Sequence, residues 1–358
     1  MRRRRLITSL AGLAASSAAA GCLGRDLPSR ARWHTPVGPD APTDIAVADG
    51  VVAVSKAFET FGVEADGTVT WKRFDYGGPV CPLVDGFLAL GAPNYGPRNA
   101  RNVAVLHRLA ADGPVRWERP VGPLDEFVGT DADRARAYVL RSGAERAATD
   151  GGDLLVAHAL SDGAELWREE LDATALGPRH VGGTLVTAGE WVVGRDPVSG
   201  AERWRVPSVG GRWPPAVWLD RAYVTREYPP AVQVVGSDGR EVDRYDLPGD
   251  RARGPVAVVD GVAVARTTAG AWLVDPATGV RRRAWPGDAP VAFPDPRATL
   301  SAANDRLVAV DERRGVTAVE RDGRRAWRAA VDGGLRVAAS DDGRVYAAGE
   351  RGLYAFEA

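Results

Sequence analysis

The chain has 358 residues, with 46 Lys and Arg against 47 Asp and Glu, a formal net charge of -1, 45% hydrophobic and 26% charged residues. A near-neutral chain has no global field to draw a polyanion, so nucleic acid is excluded as a partner on bulk grounds. The ordinary composition excludes a disordered polymer, and 42 Gly with 25 Pro suit a fold of many tight turns.

Only Lys56 and Lys72 are lysines, an arginine bias that a GC-rich genome accounts for. Residues 1–21 are predicted to be a signal peptide, with basic Arg2 to Arg5 followed by the uncharged apolar run Leu6 to Gly21. That run is shorter than the ~20 residues a membrane-spanning helix needs. The segment Arg3-Arg4-Arg5-Leu6-Ile7 resembles a twin-arginine export signal, with Arg3 and Arg4 as its pair. Ala19-Ala20-Gly21-Cys22 resembles a lipobox, which implies a lipid on Cys22 and a tether over 22–30. Ala19 stands where that family has Leu, and cleavage after an Ala-x-Ala site at Ala18 to Ala20, releasing a free secreted protein, is the alternative. The expected address is extracytoplasmic and membrane-anchored. Losing Arg2 to Arg5 takes the 46 basic residues to 42 against 47 acidic ones. A lysine-poor, mildly acidic chain behind such a signal resembles the surface lipoproteins of halophilic archaea, and a high-GC bacterium fits as well. With Cys22 lipidated, Cys81 has no disulfide partner in the chain and is expected to be a buried, inert thiol.

Residues 31–358 are organised by a repeat, a turn Gly followed four residues later by Trp: Gly67/Trp71, Gly113/Trp117, Gly163/Trp167, Gly200/Trp204 and Gly323/Trp327. Gly239/Tyr245 and Gly279/Trp285 are looser copies, and Trp33 stands alone near the start. From Trp33 to Trp327 there are 294 residues in seven intervals, 42 each, which is the ~40 to 50 residues of a four-stranded propeller blade. Each unit reads as four short strands separated by turn residues, with first strands expected near Asp44, Val80, Phe127, Arg179, Ala216, Val256, Thr299 and Arg336. Ala31 to Gly38 looks like the last strand of a unit whose earlier strands, Gly343 to Ala348 and Gly352 to Ala358, lie at the other end. The expectation is an all-β, eight-bladed propeller of four-stranded antiparallel blades. The N-terminal strand completes the C-terminal blade, because an open stack would leave its end blades uncovered.

The segment Asp196-Pro197-Val198-Ser199-Gly200-Ala201-Glu202-Arg203-Trp204 resembles the pyrroloquinoline-quinone-type propeller repeat, and Asp275 to Gly279 matches its first half. That family includes quinoprotein dehydrogenases, which resemble one another in a vicinal Cys-Cys disulfide, an Asp base and calcium ligands. No Cys-Cys pair occurs here, and the acidic residues fall mostly at turn positions such as Asp66, Asp112, Asp162, Asp238 and Asp322, where they serve hairpins. His34, His107, His158 and His180 fall in different units, with His107 and His158 in equivalent third-strand neighbourhoods. No cofactor, metal site or catalytic constellation is expected, and the chain is read as a non-enzyme.

Function is placed in two long insertions, Gly91 to Asn102 and Arg141 to Gly152, between second and third strands of adjacent units. They bring Tyr95, Arg98, Arg101, Arg141, Glu145 and Arg146 to one face, side chains suited to anchoring a protein partner. The design is similar to the bacterial outer-membrane assembly lipoprotein built of eight such blades, which implies a monomeric protein-binding scaffold at the cell surface or envelope. A quinone-cofactor or carbohydrate-binding surface protein, or a dehydrogenase component, is the alternative.

Overall fold

The structure is a computed structural model. It describes residues 30–357 apart from 39, 58, 75–76, 92–102, 124–126, 143–151, 173, 209–212, 260, 276–279, 284–299, 304–305, 312–314, 321–324, 332 and 342.

Every assigned element among the described residues is a β-strand, and the strands pair into four-stranded antiparallel sheets. Seven sheets are each made of four consecutive strands. Blade 1 has Asp44–Ala48, Val51–Ser55, Glu59–Glu64 and Val69–Phe74; blade 2 has Val80–Leu83, Gly86–Gly91, Val103–Ala110 and Val115–Pro123. Blade 3 has Phe127–Ala132, Arg136–Arg141, Leu154–Ala159 and Glu165–Glu170; blade 4 has Ala175–Val181, Thr184–Gly189, Trp191–Arg195 and Glu202–Pro207. Blade 5 has Ala216–Trp218, Arg221–Arg226, Ala231–Gly236 and Glu241–Asp246; blade 6 has Ala257–Val259, Val262–Thr267, Gly270–Asp275 and Val280–Arg283. Blade 7 has Leu300–Ala303, Arg306–Asp311, Gly315–Glu320 and Arg325–Ala329. The remaining sheet, blade 8, is shared between the chain ends: Leu335–Asp341, Arg344–Gly349 and Gly352–Glu357 are completed by Ala31–Thr35.

First strands touch first strands in sequence from blade 1 to blade 8, and the first strand of blade 8 touches that of blade 1, so the sheets form a closed ring around an axis. Burial follows from this arrangement. Second strands are stacked on both sides, so Gly86–Gly91 and Val262–Thr267 are buried throughout, and apolar side chains make up most of both. Fourth strands lie at the rim and alternate, as Val69–Phe74 does around buried Trp71.

The ends are stitched by antiparallel pairs Ala31↔Phe356, Trp33↔Ala355, His34↔Tyr354 and Thr35↔Leu353. The His34 ring stacks on Tyr354 at 4.4 Å between centroids. Lys56, almost fully buried in blade 1, donates to the Val37 carbonyl just past this strand and to Glu59 Oε1 at 2.9 Å. One of the chain's two lysines thus ties the closing strand to the blade that follows it.

One strand boundary differs from the sequence expectation. Blade 4 opens at Ala175, not near Arg179, because Ala175 and Leu176 already pair with Gly189 and Ala188 before an irregularity that precedes Arg179. Gly177-Pro178, which reads as a turn, is carried inside the strand by that irregularity.

Candidate functional site

The Gly-x-x-x-Trp spacing turns out to be a clamp between blades. At five blade boundaries the Trp of the fourth strand lies on the turn Gly of the next blade, and its indole N–H donates to a carbonyl of that turn. The donor–acceptor pairs are Trp33 to Ala65 at 2.8 Å, Trp71 to Ala111 at 2.8 Å, Trp117 to Leu160 at 2.7 Å, Trp167 to Pro197 at 3.1 Å and Trp204 to Ser237 at 2.8 Å. At Gly113, φ is +101° and a Cβ would stand 2.5 Å from the Trp71 ring, so backbone and packing both demand glycine. The side chain two residues after the Trp adds a second bond to the same turn: Thr35 Oγ1 to Gly67 O at 2.6 Å, Arg73 Nη2 to Gly113 O at 2.9 Å, and Arg119 Nη2 to Asp162 O at 2.9 Å. These clamps make the ring a rigid platform.

On that platform, the connection between second and third strands has 11 residues in blade 2 and 12 in blade 3, against at most four in every other blade. Tyr95, Arg98, Arg101, Glu145 and Arg146 lie outside the described residues, as do Arg3, Arg4 and Cys22. Arg141 is described, and it corrects the sequence reading. It belongs to the second strand of blade 3, paired with Leu154, not to the insertion, because the ladder runs one residue further than expected.

The Arg141 side chain is half-buried and turned toward the blade 2 boundary, where a Cβ on Gly122 would come 1.8 Å from its Nη1. There it lines a cavity of about 220 Å³ between blades 2 and 3, together with Gly122, Val139, His158, Glu165 and Arg168. Arg168 grips Glu165 with two parallel bonds of 2.7 and 2.6 Å, and this hydrogen-bonded guanidinium holds the carboxyl below its usual range. His158 is 6% exposed; its Nδ1 lies 3.2 Å from the Gly163 carbonyl, and burial pushes its pKa down. A carbonyl only accepts, so Nδ1 carries the proton and Nε2 keeps its lone pair.

A second polar group lies along the axis. Asp44 Oδ2 of blade 1 accepts from Val80 N of blade 2 at 2.8 Å, and Asp131 Oδ2 of blade 3 accepts from His180 N of blade 4 at 2.6 Å. Burial raises both carboxyl pKa values against the opposing pull of these bonds and of Arg179. Cys81 sits among them, and burial followed by the Asp131 charge pushes its thiol up to about 12. A thiol that stays protonated at neutral pH is a poor nucleophile, although solvent still reaches it in part. These carboxylates are inter-blade buttons for first-strand amides.

Turn carboxylates serve hairpins as expected: Asp66 accepts from Thr68 N, Asp162 from Ala164 N and Asp238 from Arg240 N. Among the described residues no group of His, Cys, Asp and Glu could hold a metal ion. His107 and His158 are both buried third-strand residues, but they are not equivalent. His107 precedes the residue paired with Trp117, whereas His158 follows the one paired with Trp167. The sequence reading missed the cavity and the axial carboxylates, since neither carries a local motif. Aligning the repeats on their Trp residues exposes the first, because Arg119 and Gly122 then stand where blade 3 has Glu169 and Asp172.

Compared with the models of known protein families and with curated protein sequences, the chain matches none. Solved structures do share its fold. BamB from Moraxella catarrhalis is 15% identical with a TM-score of 0.64, covering 92% of this chain and 99% of that one. Sqt1 of Saccharomyces cerevisiae is 11% identical with a TM-score of 0.67, covering 92% and 99%. The computationally designed protein Ika8 is 10% identical with a TM-score of 0.68, covering 90% and 98%. At such identities the similarity is one of fold, and the fold is a β-propeller.

Proposed function

We propose that the chain is an exported, membrane-anchored, non-enzymatic binding scaffold. In this reading residues 1–21 are removed, Cys22 carries lipid, 22–30 form a tether, and 31–358 form an eight-bladed ring closed by the Ala31–Thr35 strand. The ring holds a protein partner on one face. The observation that carries the reading is the pair of long connections at equivalent hairpins of adjacent blades 2 and 3, on a ring whose other such connections are short. Long segments on a rigid scaffold are where recognition is usually placed, and the Tyr and Arg residues in them combine contact area with directed hydrogen bonds.

Two measurements on the full-length protein in its host test this. Cys22→Ala should move the mature protein from membrane to medium; unchanged membrane fractionation contradicts the anchor. Cutting both connections to four residues should leave fold and membrane attachment intact and abolish the partner recovered after gentle cross-linking. Unchanged recovery contradicts binding by the insertions.

A further inference from the structure

The joined chain ends also fix which way the ring faces. Each sheet orders its strands from first to fourth with antiparallel neighbours, so the turns between first and second and between third and fourth strands share one face of the ring. The connections between second and third strands, the two long ones included, lie on the other. In blade 8 the chain ends stand where other blades have a third-to-fourth turn. Ala31 pairs with Phe356 at that end of the sheet, and Thr35 pairs with Leu353 at the opposite end.

Neighbouring side chains mark the same face. Trp33 donates to the Ala65 carbonyl in the third-to-fourth turn of blade 1, and Arg344, which opens the second strand of blade 8, reaches that carbonyl at 3.3 Å. Arg32 pairs with Glu357, and the Arg30 guanidinium lies over the Trp327 ring of blade 7 at 5.7 Å. The chain therefore enters the ring at its turn face, opposite the face that carries the insertions.

Length does the rest. Nine residues, 22–30, separate a lipid on Cys22 from Ala31, and at ~3.5 Å each they reach ~30 Å at full extension. A blade of six-residue strands such as Arg136–Arg141 is ~20 Å tall. To lay the insertions on the bilayer, the tether would have to pass down the whole outer edge of a blade and then past connections of 11 and 12 residues. With the turn face toward the bilayer no such path is needed.

We propose that the insertion face is held away from the anchoring membrane and takes its partner from the aqueous side, a protein surface standing clear of that bilayer and not the lipid headgroups themselves. This rests on the anchored-scaffold reading and adds to it the orientation of the ring and the side from which the partner arrives.

Energy transfer on vesicles tests it with the mature chain, residues 22–358, in a Cys81→Ser background, so that a maleimide phospholipid couples only to Cys22. Should that background fold poorly, Cys81 stays, since its thiol remains protonated at pH 7 and couples slowly. An azide-bearing phenylalanine replaces Tyr228 in one protein and Arg240 in another, and carries the donor dye. Both are exposed positions of blade 5, on the insertion face and the turn face respectively. On phosphatidylcholine vesicles containing an acceptor-labelled lipid, transfer should be about twofold greater from position 240 than from position 228. Lengthening the tether by about twenty Gly and Ser residues should shrink that difference. Because the lipid is coupled chemically, the outcome is independent of whether the host lipidates Cys22, which the Cys22→Ala fractionation decides. Equal transfer from the two positions, greater transfer from position 228, or a difference that the long tether leaves unchanged overturns the proposal.

Discussion

The Trp117 indole N–H donates to the Leu160 carbonyl at 2.7 Å across a blade boundary, while its ring fills the space a side chain on Gly163 would need. The Trp of one repeat is therefore completed by the glycine of the next, and each clamp joins residues 30 to 43 positions apart in sequence. Replacing Gly163 by Ala puts a methyl 2.7 Å from the Trp117 ring at a φ of +73°, and should cost about 2 to 4 kcal/mol from clash and backbone strain together. Trp117→Phe removes one of two donors to the Leu160 carbonyl, which Arg108 Nη1 still reaches at 2.6 Å, and should cost about 0.5 to 1.5 kcal/mol for the lost bond. Because the two residues touch, urea melts of the double variant should show a deficit smaller than the sum.

The seam of the ring gives the contrasting case. Trp327 is 5% exposed, stacks on Phe356 at 6.1 Å between centroids and has Arg30 over its ring at 5.7 Å, yet its Nε1 has no hydrogen-bond partner among the described residues. The blade it faces is the shared one, whose third and fourth strands are the two ends of the chain, so no hairpin turn there supplies the carbonyl. Removing a donor that is already unsatisfied has no bond to lose. Trp327→Phe should therefore cost about 1 kcal/mol less than Trp117→Phe in the same urea titration. Equal losses contradict the clamp as the reason for the Trp repeat.

Asp44 separates charge from hydrogen bonding. Its carboxylate answers the Val80 amide of the next blade, but burial makes the ionised form unfavourable. Asp44→Asn sheds the charge but keeps one oxygen for the two N–H groups, of Val80 and Ile45, that the carboxylate accepts, and its thermal melt at pH 7 should lie between those of the wild type and Asp44→Ala. Asp44→Ala leaves the Val80 N–H without this acceptor and should lose about 1 to 3 kcal/mol.

Acid stability should report on His107. Burial pushes its pKa down from 6.5 to about 4, with the Glu118 carboxylate 3.7 Å from Nδ1. The ring is neutral in both states above pH 6.5. Below that the unfolded chain takes up a proton that the folded chain refuses, so stability is lost as pH falls from 6.5 toward 4. Between pH 7 and pH 5 the loss from this one residue should be about 2 kcal/mol. The variant His107→Gln should show that much less pH dependence in denaturant titrations over the interval.

The four-stranded propeller was legible in the sequence because Trp, turn glycine and Asp-Gly hairpin signals recur at a fixed period, and period is what a linear reading detects best. The pairing of Ala31–Thr35 with Gly352–Glu357 was legible for the same reason, since each end carries the part of a unit that the other lacks. Contacts between units were not. Nothing local shows that Trp71 covers Gly113 and not its own Gly67, or that Asp44 reaches Val80. The strand opening at Ala175 was hidden by Gly177-Pro178, whose turn chemistry outweighs its neighbours in any short window. Arg141 was singled out as a loop residue and proved to be a strand residue at the wall of a cavity, because the insertion begins one position later than its polar composition suggests.

All of these readings rest on a ring closed by its own ends. The most direct test removes residues 31–38 from the mature protein, leaving the tether, and compares it by thermal melting and light scattering with a protein lacking residues 92–99 of the blade 2 insertion. The first deletion should uncover the Gly352–Glu357 edge, which can then pair with other chains, and so lower the melting temperature and produce oligomers. The second should remain monomeric and melt near the wild type. Equal melting temperatures and equal scattering mass for the two deletions would contradict closure by the ends.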